Sequence, residues 1–136
     1  MKSQLGWFLL VVAIALPALA LAARPAAKPE PQLAHMVFFT LKDHSQASRD
    51  AFVASCQKYL TGHEGTVSIS FGTIAEDVVE APSVRDFDVA LHVVFENKAA
   101  NATYQKHPRH VAFVAENKEK FAKVRVFDSY LAPATK

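Results

Sequence analysis

One short stretch, Leu33 to Leu41 (LAHMVFFTL), limits the possible folds more than any other part of the chain. It is apolar, aromatic and bounded by polar residues, which predicts a β-strand. Alternate side chains of a strand point to opposite sides of the sheet. One face would carry His35, Val37, Phe39 and Leu41, and the other Ala34, Met36, Phe38 and Thr40. Both faces are largely apolar, so the sheet must be covered on both sides.

The remaining elements follow mainly from the period of their apolar residues. We predict helices at residues 45–60, 97–106 and 109–122, and further strands at residues 65–74, 86–95 and 123–131. Pro108 separates the last two helices, because it excludes the residue before it from the helical region and is well suited to begin a helix. The order βαββααβ predicts an α+β sandwich of ferredoxin-like type, with the helices on one face of the sheet.

The same periods predict which side chains face the helices or the core. On the second strand these are Val67, Ile69 and Phe71, on the third Phe87, Val89, Leu91, Val93 and Phe95, and on the last helix Val111, Val114, Ala115 and Phe121. Cys56 lies on the apolar stripe of the first helix, which predicts a core position.

The sheet face that the helices leave uncovered is also expected to be apolar. Its side chains would be Met36, Phe38, Ala90, Val94, Phe127 and Leu131. An uncovered apolar face is an interaction surface, and a second copy related by a two-fold axis is the simplest way to close it. We therefore predict a homodimer through the sheet face, with His92 as an interface residue.

The N-terminal residues are expected to lie outside the fold. A basic start at Lys2 precedes an apolar run from Leu5 to Ala23, which Pro17 interrupts near small residues suited to signal peptidase. We predict a signal peptide at residues 1–23, a proline-rich linker at 24–32 and one folded domain at 33–132. The alternative is an uncleaved membrane anchor, since the run approaches the roughly 20 residues that a spanning helix needs.

Charge and cysteine content exclude several classes of function. The chain has 15 Lys and Arg against 13 Asp and Glu, a net charge of +2, which gives no reason to expect nucleic acid or an anionic membrane surface as a partner. Cys56 is the only cysteine, which excludes an intramolecular disulfide and a cysteine-based zinc site. The sequence contains no nucleotide-binding glycine loop, carboxylate pair or Ser-His-Asp pattern, and we predict no cofactor.

Several segments together resemble the stress-responsive dimeric A/B barrel (Dabb) family. They are HMVFFTLK on the first strand, FGT at the end of the second, FDVALHVVFENKAANATYQKHPRHVAF, and VFDSY on the last strand. The resemblance spans about residues 33–131, and its most specific part is the Tyr-x-x-His-Pro-x-His motif. It implies a homodimer in which two sheets face each other and the helices lie outside.

The family includes plant stress proteins and a plant polyketide cyclase. In that cyclase a tyrosine and a histidine of the matching motif line a pocket and drive an aldol closure. The resemblance assigns these roles to Tyr104 and His110, and it matches the first-strand histidine to His35. This chain departs from the cyclase at Val89, where the cyclase has a pocket histidine.

The residues themselves also nominate this site. His110 would lie in the first turn of the helix that begins near Pro108, where the helix dipole favours a neutral imidazole able to accept a proton. The break at Pro108 can turn Tyr104 and His110 towards one cavity with His35. The expected apolar floor is Val37, Phe39, Val89 and Leu91. His110 would act as a general base while Tyr104 holds a carbonyl oxygen.

Three hypotheses remain open at this point. The first is an exported homodimer with a small apolar pocket for a ligand. The second is a cofactor-free pocket enzyme, such as a cyclase, isomerase or monooxygenase-like catalyst. The third is a structural, stress-protective assembly in which Tyr104 and His110 stabilise the fold. Pro108 disrupts the spacing of His107 and His110, so we predict no metal site and give His107 a capping or surface role. His44 and His63 fall in loops and are expected to be solvated.

Overall fold

A computed structural model describes residues 29–133. Its elements are the strand β1 (Leu33–Leu41), the helix α1 (Gln46–Leu60), the strands β2 (Thr66–Thr73) and β3 (Val89–Phe95), the helices α2 (Lys98–Lys106) and α3 (Pro108–Asn117), a 3₁₀ turn (Lys118–Lys120) and the strand β4 (Phe121–Tyr130). The predicted order and the ferredoxin-like α+β class are confirmed. The predicted signal peptide and most of the linker lie outside the described residues. No helix within residues 29–133 is long and apolar enough to cross a membrane.

β1 lies near the centre of an antiparallel sheet with the strand order β2-β3-β1-β4. Val37 on β1 pairs with Leu91 on β3 and Val126 on β4, so these three side chains share the face that the helices cover. The core between this face and the helices is formed by Leu33, Val37, Phe39, Leu41, Phe52, Cys56, Leu60, Val89, Leu91, Val93, Phe95, Tyr104 and Phe113. The prediction that Cys56 is a core residue is confirmed.

The opposite face of the sheet carries an aromatic cluster. The ring of Phe38 lies 5.0 Å from Phe87, 5.8 Å from Phe127 and 6.2 Å from His92, measured between centroids. Phe127 is 55% exposed. None of the described helices covers this face, so its apolar side chains form a surface suited to a partner.

The helix α3 is shorter than predicted and faces the core through a different stripe. It ends at Asn117 rather than at residue 122, because the buried Asn117 amide donates to Ser55 Oγ (2.8 Å) and to the Phe113 carbonyl (2.9 Å), and a 3₁₀ turn follows. Phe113 and Asn117, one turn apart, are the buried residues of α3, whereas Val111 and Val114 are exposed. The predicted stripe was therefore wrong by about one residue.

The third strand begins later than predicted. It starts at Val89 rather than at residue 86, and Phe87 contacts Phe38 on the uncovered face instead of the helices. The cause is Asp88, whose buried carboxylate accepts hydrogen bonds from Leu41 N (2.8 Å), His44 Nδ1 (2.9 Å) and Arg49 Nε (3.0 Å). Burial raises the pKa of Asp88, but these hydrogen bonds outweigh it and hold the pKa below its usual value.

The second strand contains a bulge that the alternation did not reveal. Its register with β3 shifts between Thr66 and Ser68, and Val67, which was predicted to face inward, is half exposed. Ile69 and Phe71 pack against the core as predicted. The extra residue at the bulge changes the phase, so that Thr66 rather than Val67 shares their face.

Candidate functional site

The site is built on the joint between α2 and α3. His107 is extended there (φ −63°, ψ 136°), which ends α2, and Pro108 is the first residue of α3. The Nδ1 atom of His107 accepts a hydrogen bond from the Arg109 amide (3.2 Å), a group that α3 itself leaves without a partner. The predicted break at Pro108 and the predicted capping role of His107 are both confirmed.

The joint brings His110 onto the ring of Tyr104. Their ring centroids are 4.6 Å apart, with the planes inclined by 53°. The Nδ1 atom of His110 is 3.2 Å from the Gln105 carbonyl oxygen, so Nδ1 carries the proton and donates it. This carbonyl lies in the last turn of α2. The Nε2 atom of His110 therefore keeps its lone pair, and no group within residues 29–133 binds it.

His110 is held in the neutral form. Burial lowers the pKa of its imidazole, and the nearby His35 and His63 lower it further, while the hydrogen bond to Gln105 acts in the opposite direction. Because the net shift is downward from 6.5, the imidazole is neutral near pH 7 and can accept a proton at Nε2.

Tyr104 is almost fully enclosed. Its side chain is 2% exposed, and its hydroxyl has no hydrogen-bond partner in the described part of the chain. Burial, with a smaller contribution from Cys56, raises the pKa of Tyr104 well above its usual value. The hydroxyl therefore stays protonated, and its donor is unused in the described part of the chain. A buried hydroxyl without a partner is unusual in a folded protein.

His35 forms the third polar part of the site. Its Nδ1 atom lies 2.6 Å from Asp128 Oδ1, because β1 and β4 pair His35 directly with Asp128. Its Nε2 atom lies 3.3 Å from the Nε2 atom of Gln105. The carboxylate fixes the proton of His35 on Nδ1, and the Gln105 amide donates to the lone pair on Nε2.

These side chains line one cavity of about 320 Å³ between the helices and the sheet. Its lining includes His35, Val37, Phe39, Leu60, Leu91, Tyr104, Gln105, His110, Phe113, Val114, Lys118, Phe121, Val124 and Val126. Six of the seven residues nominated from the sequence lie around it. Val89 does not, because it is fully buried in the core (0% exposed). Val114, Val124 and Val126 are 41%, 42% and 48% exposed, so the cavity opens between α3 and β4.

A family model for the stress-responsive A/B barrel domain matches residues 33–131. The chain belongs to this family. The match covers every strand and helix of the Dabb domain described above, from β1 to β4. No curated protein matches the chain.

Solved structures share the Dabb fold. A Dabb family protein with a ferredoxin-like fold from Mesorhizobium loti is 24% identical, with a TM-score of 0.63, and the match covers 76% of this chain and 100% of that one. A dimeric ferredoxin-like protein of unknown function from Thermobifida fusca is 17% identical (TM-score 0.63; 75% and 92% covered). The hydroxynitrile lyase from Passiflora edulis is 21% identical (TM-score 0.62; 80% and 100% covered). At these identities the likeness shows the fold alone.

One of the two histidines predicted to be solvated, His63, is buried, whereas the other, His44, is exposed as predicted. His63, predicted to be solvated, is 7% exposed, and its ring packs edge-on against Tyr104 (4.9 Å) and His107 (4.5 Å). Its Nε2 atom donates to the Tyr59 carbonyl (2.9 Å), and burial lowers its pKa. His44 is largely exposed, but its Nδ1 atom is bound by Asp88. A loop residue without a periodic pattern offered no signal for the burial of His63.

Gln105 and Asp128 are the polar contacts that sequence reasoning missed. Each bonds to a nominated histidine, Gln105 through both its backbone and its side chain. Within residues 29–133, no group of three or more His, Cys, Asp or Glu side chains is arranged to hold a metal ion. The polar side-chain groups that line the cavity are two imidazoles, a phenol, an amide and the ammonium of Lys118.

Proposed function

We propose that this Dabb domain binds a small, neutral and largely apolar molecule in the cavity beside Tyr104 and His110. The observation that carries this proposal is the cavity itself, about 320 Å³ of space with an apolar wall and a few polar groups at one end. Small-molecule sites have this composition, with polar groups that orient the ligand and apolar groups that bind it.

The charges around the cavity favour a neutral ligand. Among residues 29–133, Lys118 contributes the only ammonium group to its lining, and no carboxylate contributes to it. His110 is neutral near pH 7, and Tyr104 offers a hydroxyl proton. A ligand with a carbonyl or hydroxyl at one end and a hydrocarbon part towards Val124 and Val126 would satisfy these groups.

The direct test is mass spectrometry of small molecules that co-purify with the full chain, followed by thermal-shift titration of neutral aromatic and aliphatic carbonyl compounds. Val126→Phe, which places a ring in the cavity mouth, should abolish the shift. Val67→Phe on the β2 bulge, an equally exposed valine away from the cavity, should leave it unchanged. Equal binding by both variants would refute the proposal that the ligand binds in this cavity.

A second candidate function is acid–base catalysis without a cofactor. The specific observation in its favour is the pairing of a free lone pair on His110 Nε2 with the unbound, protonated hydroxyl of Tyr104, 4.6 Å away between ring centroids. His110 would take the proton from a carbon next to a carbonyl while the Tyr104 hydroxyl donates to the developing oxyanion. The lyase from Passiflora edulis is an enzyme of this fold.

Catalysis is separated from binding by proton exchange in heavy water. Compounds that bind would be incubated in D₂O, and the loss of the proton next to the carbonyl would be followed by NMR. His110→Ala and Tyr104→Phe should slow the exchange by about 10²-fold or more, whereas His92→Ala on the opposite face should not. Binding without any exchange above the buffer rate would leave ligand binding as the function.

The assembly we propose is a homodimer through the uncovered sheet face. The aromatic cluster around Phe38 and the exposed Phe127 support it, and a neighbour in the comparison is dimeric. Phe127→Glu would bring two carboxylates together at such an interface and should produce monomers. Sedimentation velocity at micromolar concentration decides the matter, since a monomeric wild-type chain would refute the dimer.

We also propose that residues 1–23 direct export. The basic start, the apolar run and the small residues before Ala23 support this proposal. After expression with its native N-terminus, the soluble chain should begin after about residues 20–23. An intact chain confined to the membrane fraction would instead support the anchor.

A further inference from the structure

The two cavity histidines carry their ring proton on the same nitrogen. Each carries its proton on Nδ1, held by Asp128 in His35 and by the Gln105 carbonyl in His110. Each should therefore present a lone pair on Nε2. The difference is that the Gln105 amide occupies Nε2 of His35 (3.3 Å), whereas nothing within residues 29–133 occupies Nε2 of His110.

The orientation of the Gln105 amide is fixed from its other side. One N–H of Nε2 points to Asn101 Oδ1 (3.2 Å), one turn earlier in α2. The second N–H is then the group that faces His35. The amide nitrogen, rather than the amide oxygen, therefore covers the His35 lone pair.

His35 would be a second candidate base without this cover. A carboxylate, that of Asp128, binds its far nitrogen, which is the arrangement of base and orienting acid in many acid–base sites. His35 and His110 both line the cavity, as does Gln105 itself. A single residue thus contacts both candidate bases.

We infer that Gln105 is a positioning residue that assigns proton transfer to His110, by orienting that ring with its backbone carbonyl and by shielding Nε2 of His35 with its side-chain amide. This inference deepens the proposed function and rests on it for its catalytic meaning. The shielding itself is a property of the free protein. The shielding can therefore be tested without any ligand.

The test is labelling of the full chain with diethyl pyrocarbonate at pH 7.5, with the rate at each histidine read by peptide mass spectrometry. This small apolar reagent acylates neutral imidazole nitrogens that have a free lone pair. In the wild type, His110 should react and His35 should react at least about fivefold more slowly. Thr103→Ala, whose hydroxyl bonds only within α2, is the matched control and should give the wild-type rates.

Two substitutions separate the hydrogen bond from simple steric cover. Gln105→Met keeps a side chain of similar length but has no donor, and it should raise the His35 rate about threefold to tenfold, the range that one hydrogen bond of ordinary strength accounts for. Gln105→Ala should raise it at least as much. Both retain the backbone carbonyl, so the His110 rate should stay within about twofold and report that the joint is folded.

The inference is overturned if His35 stays protected in Gln105→Met, or if His35 and His110 react equally in the wild type. Its functional part is tested by the exchange assay in D₂O. In a His110→Ala background, Gln105→Met should restore measurable exchange through His35. Failure of that rescue with successful labelling would refute the catalytic assignment and leave the shielding intact, whereas failure of labelling would refute the shielding whatever the ligand assays show.

Discussion

Replacing Tyr104 by phenylalanine tests whether this side chain serves the fold or the site. The change removes one oxygen atom that is buried and has no hydrogen-bond partner within residues 29–133. A buried hydroxyl without a partner destabilises the folded state by about 1–3 kcal/mol, because it has lost its bonds to water. The aromatic contacts of the ring with Phe95 and His110 remain.

The expected result is a more stable protein that has lost its function. Removing the oxygen also leaves a small void in its place, which offsets part of the gain, so we expect a gain at the lower end of that range, about 1 kcal/mol. For a domain of about 100 residues this raises Tm by roughly 4–8 °C. Ligand binding or proton exchange should fall in the same variant. The assays are thermal and urea unfolding, run beside the thermal-shift titration described above.

Tyr59→Phe is the matched control. The Tyr59 hydroxyl donates to Glu116 Oε2 at 2.5 Å, so its removal breaks a hydrogen bond instead of relieving a buried group. Its effect on Tm should have the opposite sign, and binding should be unchanged. If Tyr104→Phe lowers Tm as Tyr59→Phe does, the Tyr104 hydroxyl has a bonded partner, and the reasoning from its lack of one is refuted.

Three further predictions concern stability. Burial is the main cause that lowers the pKa values of His63 and His110, so the unfolded chain binds protons at these residues more readily than the folded chain. The free energy of unfolding should therefore be highest above about pH 7.5 and fall as the pH drops through about 6.5. Urea unfolding that shows a gain in stability between pH 7.5 and pH 5 would contradict this. Gly65→Ala should destabilise by more than about 2 kcal/mol, since φ is +74° and the new methyl would lie 2.6 Å from a side chain of α2; Gly62→Ala, with a similar φ in open space, should be milder, and equal losses would exclude the clash. Asn117→Ala should destabilise by about 1–3 kcal/mol in the same assay, because its amide holds α1 to α3; a neutral result would contradict that role.

The fold could be predicted from the sequence where local rules decide the backbone. Pro108 prohibits a continuous helix, whatever surrounds it. The alternation in β1 and its apolar character on both faces required cover on each side of the sheet. These features act over a few neighbouring residues, and the structure contains the break at Pro108 and the helices over one face of the sheet.

The orientation of α3 depends on contacts that no local period records. Val111 and Val114 are as apolar as Phe113, so composition alone did not choose between two stripes about one residue apart. The choice is made by Asn117, which bonds to Ser55, 62 residues away in the sequence. Likewise, the face of Phe87 follows from the partners of Asp88 rather than from alternation within β3.

The site could be predicted in part for the same reason. Tyr104 and His110 meet because of a local break, and His35 joins them because one face of β1 is directed towards the helices. Asp128 and Gln105 are brought to His35 by strand pairing and helix packing. Polar side chains acquire their roles from such partners. The contacts of Asp128 and Gln105 with His35 could therefore not be predicted before the strand pairing and the helix packing were known.

The joint also shows that the fold itself prepares the site. If α2 continued through position 108, the Gln105 carbonyl would accept a hydrogen bond from the amide of Arg109, four residues on. The break diverts that amide to His107 and leaves the carbonyl to His110. Satisfying this carbonyl fixes the proton of His110 on Nδ1, and Nε2 is then directed to the cavity with its lone pair free. The tautomer that a general base needs is thus a consequence of how α2 ends, which is why a proline in the middle of the motif matters as much as the tyrosine and the histidine on either side of it.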